Sequence, residues 1–316
     1  AISLIKRVRG KQVRFETLSH KILSQIDLHA QYGGVFPALA KREHTKAITQ
    51  LIAEALEEAD LLVERTNTYH IPNAERKKLE TLLERESEML TAMKVLFEGI
   101  QKPAIDAIAV TQGPGLEPAL WVGINAALAL HLLWDIPVYP INHMEGHIIA
   151  GLLSLENNVY EVSDIDLPAC ALLISGGHTE IVHIPKLRTY KVIGKTKDDA
   201  VGEAFDKTAR ILGLPYPGGP EVSKLALQHD KSMGTNIELP RPMIHSKDYD
   251  FSFSGLKTAV LYAVRDIKLT NSDTIPEKLK IEIAYEFQEA AAEVITKKTC
   301  DAIRDFGVQT LIVGGG

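Results

Sequence analysis

Two histidines four residues apart, His143 and His147, form the first group that could do chemistry. Residues four apart lie on one face of an α-helix, so both imidazoles could bind one metal ion. The pair follows an apolar segment, 137–141, and α/β proteins place ligands at the carboxyl ends of such strands. Two ordinary histidines are the structural alternative. Glu145 excludes the zinc-protease motif, in which the glutamate directly follows the first histidine.

Glycine-rich segments follow two other apolar stretches. The sequence Ser-Gly-Gly-His-Thr occupies 175–179 between two predicted strands, and its backbone N–H groups could cradle a phosphate. A tight hairpin is the alternative for this segment. The glycines of 314–316 suggest a second phosphate-type loop after a strand, with a plain flexible connection as the alternative.

Three residues at a spacing of four, Asp198, Gly202 and Asp206, are expected on one face of a helix over 198–212. A glycine inside a helix costs about 1 kcal/mol relative to alanine, so Gly202 indicates close approach by a ligand or by another backbone. Clustered carboxylates suit ribose hydroxyls or a metal-bound phosphate. A capped, solvated helix start is the alternative.

Three further segments have a structural interpretation that is favoured over a functional one. Residues 214–220 are typical of a rigid turn that could wall a nucleotide site. Residues 251–258 alternate aromatics with serines, which indicates a short strand and a helix N-cap. The basic segment 6–11 is expected to be a solvated hairpin tip, with contact to an anionic ligand or a nucleic acid as the other possibility.

Length and composition limit the class of protein to which these residues can belong. The chain has 316 residues, 45% hydrophobic and 24% charged, which predicts a globular protein of about two domains. The net charge of −6 argues against a protein that is basic all over, and no stretch is long and apolar enough to span a membrane. Two cysteines, Cys170 and Cys300, indicate a reducing intracellular setting rather than a disulfide framework.

The predicted elements alternate as in two α/β units in series. A polar segment, 156–166, is the best candidate for a linker. A single long helix is expected after Asn73, with its apolar residues on one side. The other predicted strands are 2–5, 13–25, 105–111, 137–141, 169–174, 179–184, 190–193 and 310–313, and the other predicted helices are one from about 37, then 118–133, 198–212 and 277–306.

Taken together and in order, these motifs resemble the tRNA N6-adenosine threonylcarbamoyltransferase family, once described as O-sialoglycoprotein endopeptidases. Segments 24–29 and 32–37 resemble its bacterial and organellar branch. The motifs that carry the resemblance across nearly the whole chain are 113–116, 143–147, 175–179, 198–203, 205–207, 216–220 and 251–258.

The resemblance implies an actin-like, ribonuclease-H-like α/β fold of two lobes, here 1–142 and 143–316, with a helical insertion at about 67–102. It implies transfer of threonylcarbamoyl from threonylcarbamoyl-AMP to N6 of adenosine 37, in tRNAs that read codons starting with A. The implied partners are tRNA, an inactive paralogue of the same fold and a small P-loop ATPase. The implied location is cytoplasmic, with organellar targeting left open.

The family's site residues map onto this sequence residue by residue. The metal ligands map onto His143 and His147, for one divalent iron or zinc ion, and a third ligand is expected beyond Gly316. The residues that would bind threonylcarbamoyl-AMP or ATP are Leu173, Ile174, Ser175, Gly176, Gly177, Asp206 and Gly219. No general base is assigned.

The chain departs from the family pattern at both ends, which indicates a fragment that lacks an N-terminal strand and a C-terminal part. These departures leave open whether the chain is active on its own. Rival interpretations are a kinase-like phosphotransferase of the same fold and an inactive scaffold paralogue. Retention of both histidines and of the 175–179 loop argues against the paralogue.

Overall fold

The computed structural model describes residues 1–10, 12–32, 34–156, 158–230, 232, 234–271 and 275–315. By contact, the chain divides into two compact α/β units. The first unit comprises Ala1–Asp27 and Val35–Ser163, and the second comprises Leu28–Gly34 and Asp164–Gly316. This division falls after Ser163, and the predicted lobe division at 142/143 stays a prediction.

The first part of the chain builds a hairpin, a layer of helices and a βαβ unit. Its elements are β1 (Ile2–Val8), β2 (Arg14–Lys21), α1 (Ile26–Ala30), α2 (Pro37–Glu58), α3 (Asn73–Leu82), α4 (Ser87–Gly99), β3 (Ile108–Gly113), α5 (Glu117–Trp134), β4 (Val138–Asn142), α6 (His143–Ala150), β5 (Leu153–Glu156) and β6 (Val159–Val162). Strands β3 and β4 are parallel and α5 connects them, so the predicted strand–glycine loop–helix–strand unit is confirmed.

The single long helix predicted after Asn73 is wrong, because the chain forms two helices, α3 and α4. Glu86 lies between them and is only 5% exposed. Its carboxylate pairs with Lys41 on α2 at 3.0 Å and accepts a hydrogen bond from Asn125 on α5 at 3.4 Å. The apolar residues of α3 and α4 follow one helical spacing, so the sequence periodicity predicted one helix. The break between the two helices coincides with the buried carboxylate of Glu86 and its partners, which periodicity does not show.

The predicted linker 156–166 is also wrong in part, because β6 lies within it. Strand β6 pairs antiparallel with β5 and with β2, which gives a four-stranded sheet in the order β1-β2-β6-β5. Four residues are too few to display a clear alternation of apolar and polar positions, and this strand is stabilised by its pairing with distant segments.

The second part of the chain builds a mixed sheet covered by helices. Its elements are β7 (Ala169–Ile174), β8 (Thr179–Lys186), β9 (Thr189–Lys195), α7 (Val201–Leu212), α8 (Gly218–Ala226), α9 (Ser254–Asn271), α10 (Glu277–Asp305) and β10 (Thr310–Gly315). The sheet order is β10-β7-β8-β9, with β10 parallel to β7 and the other pairs antiparallel. All four strands were predicted, although with shorter bounds for β8, β9 and β10.

The core of the second unit lies between this sheet and the helices. The side chains of Phe251, Phe253 and Phe287 are completely buried. Phe205 on α7 meets Phe287 on α10 edge to face, with ring centroids 4.9 Å apart. The contact between Phe205 and Phe287 holds α7, which carries Gly202 and the candidate site residue Asp206, against α10.

The glycines at the end of the chain do not form the predicted loop as far as the structure describes them. Gly314 and Gly315 belong to β10 and lie opposite Leu173 and Ile174 in register. A Cβ at residue 315 would clash with the Ile174 carbonyl, so only glycine permits this approach. Gly316 lies outside the described residues. No described helix is long and apolar enough to cross a lipid bilayer.

Candidate active site

Asn142 fixes the position of the two histidines by capping the helix that carries them. Its side-chain oxygen accepts hydrogen bonds from the backbone N–H groups of Met144, at 2.8 Å, and Glu145, at 3.2 Å. Helix α6 therefore starts at His143, directly after β4. The rings of His143 and His147 stack with their centroids 4.6 Å apart. The expected placement of both imidazoles on one helical face is confirmed.

The tautomer of His143 follows from its hydrogen bond. Nδ1 of His143 lies 3.1 Å from the carbonyl oxygen of Pro114, in the glycine loop after β3. A carbonyl can only accept, so Nδ1 is the donor in this hydrogen bond, and the corresponding neutral tautomer presents a lone pair at Nε2. A metal-binding histidine commonly donates its other N–H to a carbonyl in this way.

The two histidines therefore fit as a pair of metal ligands. Within the described ranges, no group of three His, Cys, Asp or Glu residues is arranged to hold a metal ion. Among the residues that the structure describes, the pair thus has no third protein ligand nearby. The predicted third ligand lies outside this sequence and stays a prediction.

The glycine segment between β7 and β8 is a tight turn. The Ser175 N–H donates to the His178 carbonyl at 2.8 Å. The Ser175 hydroxyl oxygen accepts from the N–H groups of Gly177, at 3.3 Å, and His178, at 3.0 Å. The hairpin alternative is confirmed as the geometry. A phosphate bound by the Gly177 N–H would replace the Ser175 hydroxyl as the acceptor of that hydrogen bond. The phosphate-binding role of this turn stays a prediction.

Gly202 packs helix α7 against this turn. A Cβ at residue 202 would lie 2.8 Å from the Ser175 carbonyl oxygen and 2.9 Å from Cα of Gly176. Real side chains do not tolerate such distances, so the expected close approach is confirmed, and the partner is another backbone. Thr179 adds a second link, because its hydroxyl accepts from the N–H of Val201 at 2.9 Å and thereby caps α7.

Asp206 connects α7 to the start of α8. Its Oδ1 accepts a hydrogen bond from the N–H of Gly218 at 2.7 Å. Gly218 approaches so closely that a Cβ there would lie 2.8 Å from Cα of Asp206. Gly219 follows, and a Cβ at that position would meet nothing within 4 Å. The carboxylate of Asp206 thus fixes the amino end of α8, and the adjacent backbone at Gly219 is accessible.

Tyr216 lies in the electrostatic field of the same carboxylate. Partial burial raises the pKa of the Tyr216 phenol, and the negative charge of Asp206 raises it further. The turn 214–220 therefore places the Gly218 N–H and the neutral phenol of Tyr216 close to Asp206. The sequence predicted a rigid turn that could wall a nucleotide site, but it did not reveal the contact with Asp206, which belongs to a different element.

Asp198 does not belong to the predicted helix face, because α7 begins at Val201. Its carboxylate instead accepts bonds from the hydroxyls of Ser252, at 2.6 Å, and Ser254, at 2.7 Å. It also accepts from the backbone N–H groups of Phe253, at 2.8 Å, and Ser254, at 3.1 Å. The helix start predicted within 251–258 is confirmed at Ser254, and the acceptor for its first N–H groups is an aspartate from another segment.

The candidate residues fall into two groups, each within one unit. His143 and His147 belong to the first unit. The candidate nucleotide-binding residues all belong to the second, where β7 ends in Leu173 and Ile174 and continues into the turn at Ser175, Gly176 and Gly177. Asp206 and Gly219 join them through α7 and α8. Sequence reasoning did not assign a supporting role to Thr179 or Gly218, although they lie within the predicted motifs 175–179 and 214–220.

This arrangement is that of an α/β protein in which a glycine turn is packed against the start of one helix, and that helix is linked to the start of the next. The sequence model of the family TsaD, tRNA N6-adenosine threonylcarbamoyltransferase, matches residues 16–67 and 74–316. The residues left unmatched between these ranges, 68–73, lie within the segment predicted to be an insertion.

Curated relatives carry the same name. A tRNA N6-adenosine threonylcarbamoyltransferase of Nitrosospira multiformis is 41% identical over 300 residues, which cover 95% of this chain and 72% of the relative. That of Methylobacillus flagellatus is 42% identical over 299 residues, covering 95% and 73%. That of Staphylococcus aureus is 39% identical over 316 residues, covering 100% and 75%.

The chain therefore belongs to the tRNA N6-adenosine threonylcarbamoyltransferase family. Membership confirms the predicted resemblance, the actin-like fold class and the prediction of an acyl-transferring enzyme that modifies tRNA. The residue assignments, the metal and the protein partners remain predictions.

Proposed function

We propose that this protein transfers the threonylcarbamoyl group from threonylcarbamoyl-AMP to N6 of adenosine 37, in tRNAs that read codons starting with A. The observation that carries the proposal is the extent of the family match. Its second range, 74–316, contains every candidate site residue of both units.

The second unit would bind the adenylate. The turn at Ser175–Gly177 would receive the phosphate through backbone N–H groups, because Gly202 holds the turn rigidly against the start of α7. Asp206 would bind ribose hydroxyls through the oxygen that does not bond Gly218. Gly219 supports this assignment, since the open space at its Cα allows a ligand to approach the backbone.

The first unit would hold one iron or zinc ion on His143 and His147. Support comes from the common face of the two rings and from the Nδ1 bond that leaves Nε2 of His143 as an acceptor. Imidazole suits either metal. A bound divalent ion supplies Lewis-acid stabilisation of negative charge on a phosphate or carbamoyl oxygen.

The reaction makes particular demands on the chain's own residues. The N6 amine of adenine is a weak nucleophile because its lone pair is delocalised into the ring, whereas AMP is a stable leaving group. Positioning of the amine against the acyl carbon can therefore supply much of the rate enhancement. The N–H groups of the Ser175–Gly177 turn would also stabilise charge that develops at the phosphate as the acyl bond breaks.

The proposal extends to partners and compartment. An inactive paralogue of the same fold and a small P-loop ATPase would assist the enzyme, as the family resemblance implies. A cytoplasmic, reducing location is supported by the two cysteines, since Cys170 is buried and Cys300 is exposed and neither forms a disulfide.

The function is tested by incubating the protein and its partners with isotope-labelled threonylcarbamoyl-AMP and unmodified tRNA. Digestion and mass spectrometry should then find the label on adenosine 37. Label that stays in the donor or its hydrolysis products, despite bound nucleotide, would refute the proposal.

The main rival is a phosphotransferase of the same fold. It predicts ATP turnover that depends on a small hydroxylated substrate and is indifferent to tRNA. Measuring ADP release with a panel of sugars and short-chain acids, with and without tRNA, separates the two functions.

A further inference from the structure

The sheet β1-β2-β6-β5 separates its residues into two faces of different chemistry. Residues directly opposite in register lie on the same face, so Arg7 lies beside Phe15, and Phe15 beside Tyr160. Leu155 on β5 in turn lies opposite Tyr160 in register. The Phe15 and Tyr160 rings stack with centroids 5.5 Å apart, which fits this register. We call this row, with Ile5 beside Arg7 along β1, the hairpin face.

The opposite face holds the carboxylates of the sheet. By the same register, Glu16 lies beside Lys6, and Glu161 lies beside Arg14. This is also the side that α2 covers, because Ser19 and Lys21 reach Glu58 at the end of that helix. The hairpin face therefore carries the cation Arg7 and no carboxylate among its described positions.

Positive charge is concentrated where the hairpin ends. The stretch 6–14 contains five Lys or Arg residues and no Asp or Glu, in a protein of net charge −6. Arg7 and Arg9 are exposed, and the guanidinium of Arg14 lies against Gly10, since a Cβ there would be 3.2 Å from Nη2 of Arg14. Among the described residues, none of these three arginines forms an ion pair with a carboxylate, whereas most other basic side chains on helices do.

We propose that the tip of this hairpin and the hairpin face contact the tRNA substrate, with Arg7 and Arg9 on backbone phosphates. The inference rests on the proposed function, because it takes tRNA as the polyanion that the enzyme must bind. Arginine is suited to phosphate through its fork of N–H donors.

The chemistry of the row favours RNA over a protein partner. Unpaired arginines on a polyanion release counterions, which supplies affinity without any sequence readout. Arg7, Phe15 and Tyr160 stand side by side, a combination of cation and aromatic rings that RNA-binding surfaces use for phosphates and unstacked bases. Ile5 and Leu155, 60% and 57% exposed, are single apolar side chains at opposite ends of the row. Two isolated apolar side chains do not form a continuous apolar patch, so we treat a protein partner as the alternative that the test must exclude.

The test measures the affinity of the full-length protein with its partners for unmodified tRNA over a series of salt concentrations. Replacing two arginines, Arg7→Gln with Arg9→Gln, should weaken binding about tenfold at low salt. The slope of log affinity against log salt should fall by about two, one for each lost phosphate contact. Under turnover, KM for tRNA should rise while kcat stays near the wild-type value.

Two further variants control this result. Arg7→Lys with Arg9→Lys retains the charge and should retain the salt slope. Lys77→Gln with Lys78→Gln removes the same charge from exposed positions of α3 and should leave both affinity and slope unchanged. If Lys77→Gln with Lys78→Gln lowers the affinity as much as Arg7→Gln with Arg9→Gln does, the effect is one of net charge and the proposal is overturned.

Unchanged tRNA affinity and slope in Arg7→Gln, Arg9→Gln would overturn the inference. So would an unchanged slope accompanied by weaker association with a partner protein, which would assign the hairpin to a protein contact. Both results differ from failure of the proposed function, since in that case the wild-type protein itself would leave the tRNA unmodified.

Discussion

The backbone of Gly202 lies so close to that of Ser175 that a Cβ on residue 202 would stand 2.8 Å from the Ser175 carbonyl oxygen. One helix thereby buttresses the turn that we propose as the phosphate site. The contact joins segments that are distant in sequence, and it requires the absence of a side chain.

Replacing this glycine, Gly202→Ala, should push the turn away from α7. Overpacking of this kind typically costs about 1–3 kcal/mol. We expect the loss in free energy of adenylate binding to exceed the loss in free energy of unfolding. Isothermal titration with AMP and thermal unfolding measure the two effects. Gly99→Ala is the matched control, because a Cβ at Gly99 meets nothing within 4 Å. Equal nucleotide affinity in Gly202→Ala and wild type would contradict the assignment.

Asp198 should stabilise the second unit as the cap of α9. Removing the carboxylate, Asp198→Ala, leaves the Phe253 and Ser254 N–H groups without this acceptor and should cost about 1–2 kcal/mol. Ser252→Ala removes one donor of the four and should cost less. Urea unfolding measures both, and a greater loss for the serine variant would rule out the capping role.

The same carboxylate should make stability depend on pH at the acid end. Partial burial raises the pKa of Asp198, but the hydrogen bonds from Ser252, Ser254 and the two backbone N–H groups outweigh this and hold it below its ordinary value of 3.8. A lowered pKa in the folded state means that the contribution is present above pH 3.8 and is lost as the pH falls through the folded-state value. Asp198→Asn should flatten this part of the stability profile, and an unchanged profile would contradict the account.

These residues also show how far sequence reasoning reaches. Strands β7, β8 and β10 and the βαβ unit were predictable, because continuous apolar runs and glycine punctuation are local signals. The close approach at Gly202 was predictable in kind, since a glycine inside a helix needs a reason. Its partner was not, and neither was the capping of α9 by Asp198, because both depend on which distant segments meet. The break between α3 and α4 has the same origin, since Glu86 is held by residues of two other helices.

Lys298 should be an anchor of the loop after α8. Its side chain is 1% exposed, and its ammonium donates to the Ser246 carbonyl at 3.1 Å, the Ser246 hydroxyl at 2.6 Å and the Asp248 carbonyl at 2.6 Å. Lys298→Met leaves these acceptors unpaired and should cost about 2–3 kcal/mol. Its neighbour Lys297 forms an exposed pair with Asp301, so Lys297→Met should cost less than about 0.5 kcal/mol. Equal stability of the two variants in urea would contradict the anchor.

The two cysteines should differ sharply in reactivity. Burial raises the pKa of the Cys170 thiol to about 11, whereas Cys300 is exposed. A thiol reagent at pH 8 should therefore label one cysteine per folded chain, and Cys300→Ser should abolish that labelling. Because the folded-state pKa of Cys170 is raised, its contribution to stability is present below its ordinary pKa of 9.0 and is lost as the pH rises towards 11. Rapid labelling of folded Cys300→Ser would contradict the burial.

The central claim is that a histidine pair in the first unit and a nucleotide site in the second serve one acyl transfer. The most direct measurement compares wild type with the double variant His143→Ala, His147→Ala, in the presence of the partner proteins. Metal content, AMP affinity and labelled threonylcarbamoyl on tRNA are measured on the same samples. The account predicts that the variant loses the metal and the transfer while its AMP affinity stays within about twofold of wild type. Full transfer by the double variant would contradict the account.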